Sequence, residues 1–222
     1  QDGLASFEPA FADELSVIMD WAFDYMQRSG DARPDLADWP RYVTGGSVYL
    51  RLSTRTIEQP PRDMAKPLAD DIIRGAYWLK APTPECDTVI AYQGVLANEA
   101  IAAAAAIGGD RRNVAVLAVT SADRLNAGWH AAQRARLHGD DDARSHIENL
   151  LADIPYTAGL ITAIDAHPAT LGWLGSVLGH RTITMGVEHF GQTGTVNDLY
   201  AHFGIGARAI ETAARSFSRA RH

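Results

Sequence analysis

Apolar residues recur with a helical period near the start of the chain: Phe11, Leu15, Ile18, Ala22 and Tyr25 share one face, and Asp13, Ser16, Asp20, Asp24 and Gln27 the other. This spacing predicts an amphipathic helix opened by Pro9, whose missing N–H costs nothing in a first turn. Residues 30–46, with Pro34, Pro40 and several glycines, read as a long loop, and residues 47–53 (SVYLRLS) as a strand. Pro60, Pro61 and Pro67 remove backbone donors and favour an extended path, which predicts an inter-domain linker over residues 60–79. Beyond it the pattern alternates regularly. Strands are predicted at 87–92, 113–119 and 159–163. Helices are predicted at 97–107, 122–137 (capped by Thr120 or Ser121), 145–152 and 169–178, and the acidic run at 140–142 reads as a solvated turn. Residues 182–187 carry β-branched and apolar side chains with no polar face, the composition of a strand buried on both sides. Thr195 then caps a helix through Val196, Leu199, Tyr200 and Phe203. Gly204 and Gly206 end it, and a last helix from Ala207 places Ile210, Ala213, Ala214 and Phe217 together.

Strands alternating with helices imply a mostly parallel sheet covered on both faces, so residues 80–222 read as one doubly wound α/β domain. The helix and strand of residues 1–59 cannot make a domain, because their apolar faces need a partner layer. They read as the tail of an incomplete α/β domain.

Composition narrows the function classes. The 222 residues carry 27 acidic and 20 basic side chains, a formal charge of -7, which excludes the clustered basic surface of a nucleic-acid binder. The late arginines, Arg208 to Arg221, read as the solvated face of a terminal helix. A single cysteine, Cys86, excludes an internal disulfide framework and fits a reducing cytoplasm. The longest apolar run, residues 100–107, is too short to cross a bilayer, and the acidic start does not read as a signal peptide. These features predict a soluble cytoplasmic protein with no membrane partner. A start at Gln1 fits a piece of something larger.

Candidate chemistry is sparse. The GQTGT loop, residues 191–195, precedes a helix and could cradle a phosphate, but it lacks the lysine and spacing of a phosphate loop and reads first as a structural turn. Asp165 and His167 follow one predicted strand and Glu188 and His189 another, where α/β sheets place ligand contacts; loop capping is the favoured role for both pairs. The remaining histidines form no nucleophile–base set.

The strand at 182–187, the GVEHFGQTGTVNDLYAHFGI stretch and the alanine-rich last helix together resemble the C-terminal domain of the transketolase superfamily, the thiamine-diphosphate enzymes. Within it, FEPAFADELSVIMDWAFDYM and VLAVTSADRL are similar to segments of the homodimeric pyruvate dehydrogenase E1 component. The resemblance implies a transketolase C-terminal-like domain over residues 80–222. It makes residues 1–59 the tail of the pyrimidine-binding middle domain. It also implies a whole enzyme that decarboxylates a 2-oxo acid with thiamine diphosphate and magnesium, acts as a homodimer and acylates a lipoyl-bearing acyltransferase (E2). The carboxylate and metal motif of that chemistry belong to upstream domains and have no counterpart here, so this chain alone is expected to be inactive, without cofactor or metal, a scaffold and dimer surface. In sugar-using relatives an arginine after the corresponding strand binds a substrate phosphate, and LSTR carries Arg55 close to that position. Transketolase is therefore the first alternative, and a non-catalytic α/β interaction module the second. Relatives also place residues between the QDG-like triplet and the first helix that this chain lacks, since Leu4, Ala5 and Ser6 follow at once.

Overall fold

The computed structural model describes residues 3–28, 45–109, 113–189 and 191–219. In chain order its elements are β1 (Leu4–Phe7), α1 (Ala12–Gln27), β2 (Ser47–Leu50), α2 (Lys66–Arg74), β3 (Ala76–Lys80), β4 (Thr88–Gln93), α3 (Ala97–Gly109), β5 (Val114–Val119), α4 (Ala122–Leu137), α5 (His146–Leu151), β6 (Gly159–Ile164), α6 (Ala169–Gly172), α7 (Gly175–Leu178), β7 (Thr182–Met185), α8 (Val196–Phe203) and α9 (Ala207–Arg219). Two compact units gather these elements. The first takes the described residues of Gln1–Thr54, Glu58–Tyr77 and Val119–Ala152, the second those of Arg55–Ile57, Trp78–Ala118 and Asp153–His222. These units divide the chain differently from the 1–59, 60–79 and 80–222 division read from the sequence.

In the first unit β1 and β2 pair in parallel, Leu4 against Ser47 through Phe7 against Leu50. Leu4–Phe7 thus forms a strand directly after Gly3, and the short connection is itself part of the sheet. The apolar face of α1 is buried, with Phe11, Ile18, Ala22 and Tyr25 at most 1% exposed. The sequence reading left this face without cover inside the chain. The cover includes α2, which packs on α1. Pro9 lies before α1 rather than opening it, with Phe11 as the flanking residue. The 60–79 stretch is not a featureless linker: it holds α2 and nearly all of β3. Pro67 sits in the first turn of α2, where its missing N–H breaks no helical bond. Gly75 ends α2 at φ 111, and its carbonyl accepts from the N–H groups of Thr120 and Ser121 at 2.8 and 3.1 Å. A Cβ there would meet the Ser121 carbonyl at 2.7 Å, so only glycine fits.

The five-stranded sheet runs β3-β5-β4-β6-β7, with β4–β6 and β6–β7 parallel. The doubly wound, mostly parallel α/β fold expected from the pattern is therefore present. β4, β5 and β6 are buried at every residue, as unbroken apolar runs between helices require. β7 is different. It forms the sheet edge and is only partly buried, not covered on both faces, because it pairs on one side alone. The 169–178 helix is two short turns, α6 and α7, rather than one continuous element.

Candidate functional site

The centre of the second unit is the C-terminal end of β4. From there the chain moves to β5 on one side, whereas β6 lies on the other, so the order of strands reverses between β4 and β6. Such a reversal splays the connections apart and opens a crevice at the carboxyl ends of the strands. Gly94, at φ 59, turns the chain out of β4 through one tight turn into α3. That turn brings Glu99 to the first helical turn of α3. Asp165 follows the end of β6, and Tyr200 comes from α8.

Arg55 meets this group. Its guanidinium forms two parallel bonds to Glu99, Nη1 to Oε2 at 2.9 Å and Nη2 to Oε1 at 2.8 Å, and lies 5.4 Å from the Tyr200 ring centroid. The bonds to Glu99 hold the Arg55 cation still more firmly protonated. Burial, then the negative charges of Asp165 and Glu99, push the Tyr200 phenol up to about 12. Tyr200 is thus a neutral hydroxyl at physiological pH, a donor rather than a base. A cleft of 790 Å³ borders the group, lined by α3 (Asn98, Glu99, Ala102), α8 (Asn197, Tyr200) and the start of α9 (Arg208). Small side chains leave the space open, and two amides, a phenol and a guanidinium give it polar contacts. The arrangement can hold a ligand. It contains no side chain poised as a nucleophile with a base to activate it.

The other sequence candidates are dispersed. His167 is exposed, and its Nδ1 accepts the Ala169 N–H at 3.2 Å, so it caps the turn before α6. Glu188 and His189 are exposed beyond β7. In the GQTGT loop Thr195 caps α8, accepting from the Asp198 N–H at 3.3 Å and donating to the Asp198 carboxylate at 2.7 Å. Residues 191–198 are all exposed, and Phe190 lies outside the described residues. Cys86 is buried, which pushes its thiol above the usual range. Among the described residues no three His, Cys, Asp or Glu side chains are grouped to hold a metal ion.

Sequence reasoning missed a buried ionic cluster in the first unit. Glu14 is 1% exposed and accepts from the Ala10 and Phe11 N–H groups at 2.7 and 2.9 Å and from the Tyr77 hydroxyl. Arg62 donates to both Asp13 oxygens and to Tyr77, and stacks over the Phe11 ring at 4.6 Å. Burial raises the Glu14 carboxyl above the usual carboxylate range despite its donors. For Asp13 burial also pushes upward, but Arg62 outweighs it and the net shift is down. The signal was half present: Glu14 stands three residues after Phe11, the reach-back half of a capping box whose usual Ser or Thr is absent.

The family model described as "Transketolase-like TK C-terminal domain" matches residues 75–206. The chain belongs to that family. Solved structures agree on the fold. A transketolase from Leishmania mexicana superposes with a TM-score of 0.66 at 18% identity, over 98% of this chain and 25% of its own. A mutant transketolase from Pichia stipitis gives 0.63 at 17% identity, over 99% of this chain and 26% of its own. A protein titled split gene transketolase, inactive beta4 tetramer, gives 0.57 at 15% identity, over 96% of this chain and 57% of its own. This chain therefore spans about a quarter of the length of the first two. A search of curated proteins finds no match.

Proposed function

We propose that this transketolase-family chain is the C-terminal portion of a thiamine-diphosphate-dependent 2-oxo acid dehydrogenase E1 of the pyruvate type. The whole cytoplasmic enzyme decarboxylates pyruvate and passes the acyl unit to a lipoyl-bearing acyltransferase. The observation that carries this reading is the order of three E1-like segments along one chain: FEPAFADEL, VTSADRL and GVEHFGQTGT. The first two are structurally engaged as well. Glu14 of FEPAFADEL closes the start of α1, and Ser121 of VTSADRL caps α4 by accepting from the Arg124 N–H. Thiamine diphosphate supplies an electron sink to the whole enzyme, and its holding groups are assigned to upstream domains. Within the enzyme this chain is a scaffold and a dimer surface.

Arg55 is the feature that favours transketolase, since a guanidinium there would bind a sugar phosphate. Nη1 and Nη2 are both bonded to Glu99, so a phosphate would compete with that carboxylate for the end of the fork, which supports the pyruvate reading. Assays of the full-length gene product with pyruvate and with xylulose 5-phosphate test the choice: the expected result is turnover of pyruvate, and ketol transfer from the sugar would replace the reading with transketolase. Isothermal titration of the 222-residue chain with thiamine diphosphate and magnesium is expected to give no binding heat; saturable micromolar binding would move the cofactor site into this chain.

A further inference from the structure

The first unit holds a separate pocket of 440 Å³, bordered by the end of α2, the middle of α4 and the start of α5. Gly128 and Ala131 of α4 keep its floor low, and Arg74, Arg144, His146 and Asn149 stand around it. Arg28, Arg51, Arg55, Arg62, Arg136 and Arg215 each pair with a carboxylate. Arg74 and Arg144 have no ion pair among the described residues, yet both face this pocket. Two exposed guanidiniums lining one concave site offer it paired N–H donors that suit an anion. Asp140 also lines the pocket and offsets part of the charge without pairing with either.

His146 adds shape rather than charge. Its Nε2 bonds the Ala76 carbonyl at 2.8 Å, and since a carbonyl only accepts, that nitrogen carries the proton. Burial, helped by Arg74, holds the imidazole below its ordinary range, against the pull of Asp71 at 3.9 Å. The wall is thus neutral at physiological pH. The pocket presents two guanidinium forks, the Asn149 amide and one opposing carboxylate.

We propose that this pocket binds the phosphate group of a small phosphorylated metabolite, clamped by Arg74 and Arg144. A planar guanidinium offers two parallel N–H groups that match two phosphate oxygens, and a dianion satisfies two forks where one carboxylate cannot. The volume lies within the range of small-molecule sites and exceeds the needs of a bare ion, which leaves room for a short organic body beside the phosphate. The site is confined to the first unit and uses no residue of the cleft at Arg55.

Amide chemical shifts of the 222-residue chain, titrated with glycerol 3-phosphate, inorganic phosphate and glycerol, test the proposal. Glycerol 3-phosphate is expected to saturate with a Kd of about 1 mM or tighter, shifting Gly128 and Asn149, with inorganic phosphate weaker and glycerol silent. The Arg74→Gln/Arg144→Gln variant should lose at least about tenfold in affinity, and Arg74→Lys/Arg144→Lys should fall between, since it keeps charge without the fork. Arg134→Gln removes a charge from α4 away from the pocket and should bind as the parent does. Circular dichroism checks that each variant is folded. Absence of saturation by the ester, or unchanged binding in the double glutamine variant, overturns the site; inorganic phosphate binding as tightly as the ester overturns the metabolite.

Discussion

At the residue scale, Glu14 gathers two backbone N–H groups and the Tyr77 hydroxyl in the first unit. Replacing it with alanine would strand two backbone N–H groups and the Tyr77 hydroxyl in a buried site, so Glu14→Ala is expected to cost about 3–5 kcal/mol in denaturant unfolding. Glu14→Gln keeps an accepting oxygen and is expected to cost far less. The pair also separates in pH dependence. A carboxyl raised by burial binds its proton more tightly folded than unfolded, so its stabilising contribution grows as pH falls through the folded value and is fully present below the unfolded one. Asp13 and Glu148 are shifted down on balance and act oppositely: their contribution is present above the unfolded value and is lost as pH falls through the folded one. The parent should therefore gain stability on mild acidification from neutrality before losing it at stronger acid, whereas Glu14→Gln should show only the loss. Urea midpoints across pH 3–8 measure this, and identical profiles would remove the assigned role of Glu14.

Elements were legible where periodicity and punctuation agreed. The heptad-like spacing from Phe11 to Tyr25 and the unbroken apolar runs at β4, β5 and β6 stated both the element and its burial. Thr195 and Ser121 were readable as caps because a hydroxyl at a helix start has one dominant use. α2 and β3 were not legible, because Pro60, Pro61 and Pro67 look alike in sequence although only Pro67 lies in a helix. The Arg55–Glu99 contact, 44 residues apart, and the Arg62 cluster depend on long-range closure that no local pattern states. Gly159 belongs to the same class. A Cβ at this β6 position would stand 2.2 Å from the Phe217 ring of α9, which is itself buried. Gly159→Ala is expected to destabilise by about 1–3 kcal/mol through forced repacking, and Phe217→Leu in the same chain should recover part of that loss. Thermal unfolding of the two single variants and the double variant measures the coupling, and strict additivity would mean that α9 does not rest on β6 as described.

At the scale of the whole molecule the outstanding quantity is apolar surface. The sequence reading expected the apolar face of α1 to need another chain or upstream sequence; that face is covered, and the exposed residues are others. Phe23 and Met26 on α1 are 54% and 46% exposed, and Tyr49 and Leu52 in and after β2 are 54% and 53% exposed. Among the described residues β2 belongs to a two-stranded parallel sheet, a size that is not stable by itself and leaves ladder groups available at an edge. Exposed apolar residues at this sheet edge support a second copy of this chain as the cover. The 222-residue chain is expected to run as a dimer or larger species in light scattering at micromolar concentration, through an interface of standard size. Tyr49→Asp with Leu52→Asp places two charges on that edge and is expected to shift the species towards monomer while circular dichroism stays unchanged. A parent chain that is strictly monomeric and folded across that concentration range would show that these side chains are tolerated in water and that the dimer surface of the proposed E1 lies elsewhere.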